Sequence, residues 1–400
     1  MKSKCLEIVD NIYKELMTCN LSEKIGLHVG TSGIALFLAY YDNIILQKYE
    51  ISQRVIEILE NNIKCINSGK NIHTLSRGIS GFGWLCVHLK KIGMLDDDDI
   101  EFLDDLDPFL YKQMIIDIKH GNYDFLHGAL GVATYFLSRF NKNKEIIEYI
   151  EVLLIELEKS GISCDNNAVK WMSVLNLETH EKGYNISLSH GISSIVAFLT
   201  RLHQLNFEVE RVERLLTRTI TYILQQITFK EGDISYFPSF SKENSLGNFP
   251  SRLGWCYGDL GIAFMLLRVA TLMKDKELEN TAIKILYHNS NRLDLQRNGL
   301  HDACLCHGTA GVAQIYWNIY LNTHINKFKD TADYWINQTI CMSKYPDGLA
   351  GFKVWQTEEF GGLGNSDDLL NGIAGIGLVL LSQLSEKELF WDECLMLSYK

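Results

Sequence analysis

Two kinds of apolar pattern alternate along the chain. Runs such as Ile34-Ala-Leu-Phe-Leu-Ala-Tyr-Tyr41 and Ile376-Gly-Leu-Val-Leu-Leu-Ser382 are apolar on nearly every side, which belongs to a helix in an interior. Stretches such as Ile146-Ile-Glu-Tyr-Ile-Glu-Val-Leu-Leu-Ile-Glu-Leu157 and Val212-Glu-Arg-Leu-Leu-Thr-Arg-Thr-Ile-Thr-Tyr222 are apolar on one face only, as a helix between core and solvent requires. A glycine step opens each run of the first kind: Gly30-Thr-Ser-Gly33, Gly78-Ile-Ser-Gly81, Gly128-Ala-Leu-Gly131, Gly258-Asp-Leu-Gly261, Gly308-Thr-Ala-Gly311 and Gly372-Ile-Ala-Gly375, with a degenerate Gly191-Ile-Ser-Ser194. The seven copies follow one another at intervals of 48, 50, 63, 67, 50 and 64 residues. Recurrence at such spacings marks a repeat architecture.

Each repeat therefore reads as one amphipathic helix, a loop, a Gly-x-x-Gly turn and one buried helix. The pattern predicts an all-α fold, a seven-fold double-layered α/α barrel (toroid) of seven helix pairs. An open solenoid is the alternative, but seven buried helices in 400 residues fit a closed ring better. Glycine at each turn is expected to allow close backbone approach and positive φ.

Composition narrows the class. A hydrophobic fraction of 46% fills a large core, and 4 prolines leave helices largely unbroken, so residues 1–400 are expected to form a single domain. No apolar run approaches the ~18 residues that span a bilayer. The first ten residues are charged and amphipathic, without a signal-peptide core. Ten cysteines without such a signal point to reduced thiols in a cytoplasm. A net charge of −11 speaks against nucleic acid as a partner and is compatible with a basic peptide segment or partner surface.

If the turns gather at one end of the barrel, the residues before each first glycine line a common cavity. The last of these are Val29, Arg77, His127, His190, Tyr257, His307 and Asn371, six of them polar. One place earlier, Cys256 falls in register with Cys306. Two thiols and the His307 imidazole, from adjacent repeats, can share one metal and leave a fourth position open. That is the arrangement of a catalytic zinc, whereas structural zinc fills all four places. Helix N-termini beneath the turns favour thiolates and anionic intermediates.

Gly254-Trp-Cys-Tyr-Gly258, Cys304-Leu-Cys-His-Gly308, Leu188-Ser-His-Gly191 and Leu369-Leu-Asn-Gly-Ile-Ala-Gly-Ile-Gly377 resemble the lanthionine synthetase C family over essentially the whole chain. The resemblance implies a seven-fold α/α toroid holding one Zn2+ through Cys256, Cys306 and His307. It implies closure of thioether rings, by addition of peptide cysteine thiols to dehydroalanine or dehydrobutyrine. A peptide thiol has a pKa of about 8.5 and reacts as the thiolate, which an open zinc position would supply. By the same resemblance His190 is the proton-transfer residue, and Asp124 orients it or pairs with its charge. Arg252 and Tyr257 match family positions suited to enolate stabilisation or substrate placement.

The family likeness also implies a dehydrated precursor peptide as substrate, a separate dehydratase and an export transporter as partners, and a cytoplasmic protein that is at most peripherally membrane-associated. With 400 residues, a dehydratase domain on the same chain is not expected. The alternative is a relative that binds glutathione or a thiol peptide, either adding thiols to dehydrated residues or acting as a non-catalytic scaffold. The chain departs from the family pattern at Ser194, where a second glycine is usual, and at Leu260, where proline is common. Cys304 is expected to face away from the metal, His28 and His127 match no family catalytic position, and the remaining cysteines read as packing residues. Asp96-Asp-Asp-Asp99 satisfies the acid motif of some terpene cyclases, but like charges in a run are ordinarily solvated. Zinc prenyltransferases lack the paired Cys motifs, and an α/α-barrel glycosidase would need a second carboxylate beside Asp124. Two loops, residues 230–252 and 345–368, carry aromatics and glycines and are candidate walls of a peptide site.

Overall fold

A computed structural model describes every residue except 70–71, 141–142, 177–178, 180, 245–249, 357–361, 386–387 and 399–400, and all side chains of the rest but that of Asn176. Seven helices follow the glycine turns: α2 (Thr31–Ile44), α4 (Ile79–Lys91), α6 (Ala129–Ser138), α8 (Ile192–Gln204), α10 (Asp259–Met273), α12 (Thr309–Thr323) and α14 (Ile373–Leu384). Seven more alternate with them: α1 (Lys2–Thr18), α3 (Gln53–Asn67), α5 (Leu103–Lys119), α7 (Lys144–Ser160), α9 (Val209–Gln225), α11 (Lys276–Asn289) and α13 (Asn326–Cys341). Each inner helix packs on the next, and α14 packs on α2, so the inner layer is a closed ring. Each inner helix has an outer partner, with α1 serving as that of α14.

Burial follows the sequence pattern. Every residue of α14 from Ile373 to Gln383 is buried, whereas α3 buries Val55, Ile58, Asn62 and Cys65 along one stripe. The longer intervals hold the only strands among the described residues, paired as three short antiparallel hairpins. The hairpins β1 (Ile162–Cys164) with β2 (Ala168–Lys170) and β3 (Ser173–Asn176) with β4 (Glu181–Gly183) precede the fourth turn. The third, β5 (Val354–Trp355) with β6 (Leu363–Gly364), precedes the seventh.

The glycines are needed for crowding more than for φ. Only Gly30 and Gly258 (φ +104°) among the first glycines have positive φ; Gly78, Gly128, Gly191, Gly308 and Gly372 lie between −102° and −142°. The expectation of positive φ throughout is corrected accordingly. A Cβ on any of the seven would overlap the loop beside it, typically the residue six places earlier. That loop approaches closely because it satisfies the helix start, whose first N–H groups have no partner inside the helix. Ile79, Ala129, Ile192, Thr309 and Ile373 each donate to a carbonyl seven residues back, at 2.7–3.1 Å. Ser194 replaces the fourth repeat's second glycine by donating its hydroxyl to the Gly191 carbonyl at 2.6 Å.

The turns are stitched to one another. The residue two places before each first glycine donates its N–H to the equivalent carbonyl of the next repeat. These bonds run His28 to Ser76 (3.1 Å), Ser76 to Leu126 (3.0 Å), Ser189 to Cys256 (3.3 Å), Cys256 to Cys306 (3.2 Å), Cys306 to Leu370 (2.9 Å) and Leu370 to His28 (2.9 Å). At the remaining place the Leu126 N–H donates instead to Asp124 Oδ1, at 2.7 Å.

The interior behind the turns is filled by residues 390–398, a feature for which the repeat pattern gives no signal. His28 Nε2 hydrogen-bonds the Cys394 carbonyl (2.8 Å), Trp255 Nε1 donates to the Leu395 carbonyl (2.9 Å), and the Trp391 indole donates to Ser382 Oγ (2.9 Å). A cavity of about 60 Å³ remains beside Trp84, Phe125, Phe198 and Met396. The Asp96–Asp99 run is exposed at the far end of the barrel from the turns, beside Lys90 and Arg139.

Asp392, inside this filling, accepts from Gln314 Nε2 (2.8 Å) and Asn318 Nδ2 (2.6 Å). Burial nevertheless pushes its carboxyl up to about 6 from 3.8. The folded state thus holds this proton more tightly than the unfolded chain, and stability from this group is lost as pH rises through 6. We expect Asp392→Asn to flatten this group's decline in urea-unfolding free energy between about pH 3.5 and about pH 6.5, a decline worth up to about 3 kcal/mol. A variant whose decline parallels that of wild type would contradict the assignment.

Candidate metal centre and proton-transfer pair

The fifth and sixth turns bring Cys256, Cys306 and His307 together, with one donor atom of each within 4.8 Å of the others. The backbone bond between Cys256 and Cys306 fixes their spacing. Cys256 is 3% exposed, and Cys306 and His307 are half-buried. A hydrogen bond from the Cys306 thiol brings Cys256 down to about 5 against the opposing effect of burial, and the Arg252, His307 and His190 charges assist. Cys306 moves the opposite way because it keeps the shared proton. The donor set suits zinc: two sulfurs and an imidazole, within a spread that admits the ~3.8 Å separating sulfurs about 2.3 Å from one tetrahedral ion.

Cys304 stands outside that three-donor group. Its sulfur accepts the His307 N–H at 3.4 Å, capping its turn as Thr74, Asp124, Ser187 and Asp368 cap theirs. Burial beside Asp302 raises its thiol well above the ordinary range. Cys304 and Asp302 do form a second group around His307. Asp302, 1% exposed at its side chain, lies with Oδ2 3.8 Å from His307 Nε2. It is absent from the residues picked out by sequence, because an acid six places before a glycine has no counterpart in the other turns.

His190 and Asp124 meet across 66 positions of sequence, Nδ1 to Oδ2 at 2.6 Å. Asp124 Oδ1 receives the Leu126 and His127 N–H groups at 2.7 and 2.8 Å. The pair therefore sits at the one break in the ring of turn-to-turn bonds. Burial alone would lower His190, but the Asp124 bond and charge, with Cys256 nearby, leave it raised. Burial likewise opposes ionisation of Asp124, and the bond to His190 with its charge outweighs it. An imidazolium is favoured here, close to the paired thiols.

Tyr257 stands between His190 and Arg252. Its ring centroid is 5.8 Å from that of His190, and the Arg252 guanidinium lies 5.7 Å from its ring. Burial pushes the phenol up to about 12, so it remains a hydrogen-bond donor at neutral pH. The Cys256 charge raises Arg252 against burial. Buried Asp259 accepts the Tyr236 and Phe237 N–H groups and the Ser251 hydroxyl, which anchors the 230–252 loop beneath Arg252. Residues 245–249 of that loop, and Phe360 and Gly361 of the 345–368 loop, lie outside the described residues. His127, exposed and set aside by the sequence reading, stacks on His190 at 6.0 Å between centroids.

The sequence model of lanthionine synthetase C-like proteins matches residues 22–396. The chain belongs to that family. Nisin biosynthesis protein NisC of Lactococcus lactis subsp. lactis is 24% identical over 406 residues, covering 94% of this chain and 89% of that protein. The solved structure of a nisin cyclase superposes with a TM-score of 0.75 at 18% identity, over 99% of this chain and 97% of that one. The two share the helical toroid.

In Asp124→Asn the pKa of His190 should fall relative to wild type, because the partner charge that offsets burial is gone. Histidine-resolved NMR titration of both proteins, in the same metal state, checks this; an unchanged or higher value would contradict the pairing.

Proposed function

We propose that this protein is a zinc-dependent lanthipeptide cyclase, adding peptide cysteine thiols to dehydroalanine or dehydrobutyrine to form lanthionine and methyllanthionine rings. The observation that carries the reading is the placement of the His190–Asp124 pair beside a three-donor group of Cys256, Cys306 and His307. Those three residues would hold one Zn2+. Bound there, zinc would lower the pKa of a substrate thiol and present its sulfur as a nucleophile near neutral pH.

The chain's own residues supply the rest. The substrate sulfur forms a bond to the β-carbon, the alkene pair moves to the α-carbon, and His190 delivers a proton there. The thiol proton restores His190, so the addition is redox-neutral. Asp124 holds the imidazole by Nδ1, leaving Nε2 to transfer the proton. Arg252 and the protonated Tyr257 face the same space and offer donors to the enolate oxygen. The substrate is a dehydrated precursor peptide, made by a separate dehydratase and removed by an exporter. No helix among the described residues is long and apolar enough to cross a membrane, and we place the protein in the cytoplasm, with membrane association only through such partners.

Zinc-loaded wild type should render the thiols of a dehydrated, cysteine-containing peptide resistant to alkylation without changing peptide mass. His190→Asn should keep its zinc and slow the reaction at least about 100-fold. A mass gain by the peptide when glutathione is added, with its own thiols left free, would support the glutathione-type alternative. Free thiols under all conditions with zinc-loaded protein would contradict cyclase activity.

A further inference from the structure

Asp302 ties together two parts of the chain far apart in sequence. Its Oδ1 accepts the Cys304 N–H at 3.0 Å, inside the metal-binding turn. Its Oδ2 accepts the Trp355 N–H at 2.6 Å, from β5 of the hairpin 53 positions away. The same Oδ2 lies 3.8 Å from His307 Nε2, close enough for charge attraction to an imidazole N–H. The Asp302 carbonyl accepts the first N–H of α12, from Thr309, at 3.1 Å. On the neighbouring residue, the His301 ring packs on the Trp355 indole at 5.0 Å. A carboxylate held by two backbone N–H groups has a fixed orientation, and a carboxylate beside a metal-binding histidine fixes ring orientation and raises ligand basicity.

We propose that Asp302 is a positioning residue of the metal centre that orients His307 and couples it to the Trp355 hairpin. The inference rests on Cys256, Cys306 and His307 being the zinc ligands. The coupling runs both ways: metal at His307 draws on the Asp302 carboxylate, and the carboxylate carries the hairpin through the Trp355 N–H. Trp355 belongs to β5, so the placement of that strand beside the metal centre responds to the state of the metal.

The test uses metal-free full-length protein titrated with zinc against a competing chelator, with fluorotryptophan labelling to follow Trp355. Trp355→Phe, which keeps the backbone N–H, identifies the Trp355 resonance. In wild type, zinc should shift that resonance. Asp302→Ala should bind zinc about 10–100-fold more weakly and lose the shift. Asp302→Asn, closer in shape, should bind more weakly in the same direction, and it decides the matter should the alanine variant fail to fold. A folded Asp302→Asn with wild-type zinc affinity, or a Trp355 resonance indifferent to zinc in wild type, would overturn the proposal alone. A wild-type protein that takes up no zinc would overturn the ligand assignment and this inference with it.

Discussion

The backbone hydrogen bonds between successive turns set the geometry on which everything else depends. Six of the seven turn residues two places before the first glycine are pinned to their counterparts in the next repeat, and the last of these bonds runs from Leu370 to His28. A circuit complete but for one place leaves little freedom for one turn to move against its neighbours. Cys256 and Cys306 are consecutive members of it, so the distance between two thiols far apart in sequence follows from a β-like bond between their own backbones. The glycines are the condition for this arrangement, since a side chain on any of them would push the supporting loop away.

The single interruption of the circuit is chemically productive. Where Leu126 would donate to the fourth turn, Asp124 takes its N–H and that of His127, and turns its second oxygen to His190. A carboxylate with two backbone donors is held in place, and its charge favours the protonated form of His190 in a half-buried position. Arg77, His190 and Arg252 all belong to this end of the barrel, although the chain as a whole carries a net charge of −11. A locally positive floor stabilises a thiolate at Cys256 and suits a reaction that develops negative charge on the substrate.

Much of this was legible in the sequence for a physical reason. An apolar-all-round helix has one place to go, and a seven-fold glycine step repeats a steric requirement that only glycine meets, so the ring and the register of Cys256 with Cys306 follow. What was not legible has no period. The segment 390–398 that fills the barrel bonds through backbone carbonyls to His28, Trp255 and Asn318, and carbonyls leave no mark on a sequence. Asp302 acts from a position unique to its repeat. His127 reads as one more polar turn residue until its ring is seen against His190. The departures at Ser194 and Leu260 were visible, but their consequence is local: Ser194 satisfies its hydroxyl on Gly191, and Leu260 is simply buried.

X-ray absorption at the zinc edge of the purified protein, with and without a cysteine-containing dehydrated peptide, would test the proposed metal chemistry. Two sulfurs, one imidazole and one light atom, becoming three sulfurs and one imidazole when peptide is added, is the expected result. A site with four protein ligands that ignores the peptide, or a protein without zinc, would contradict the reading of an open metal position waiting for a substrate thiol.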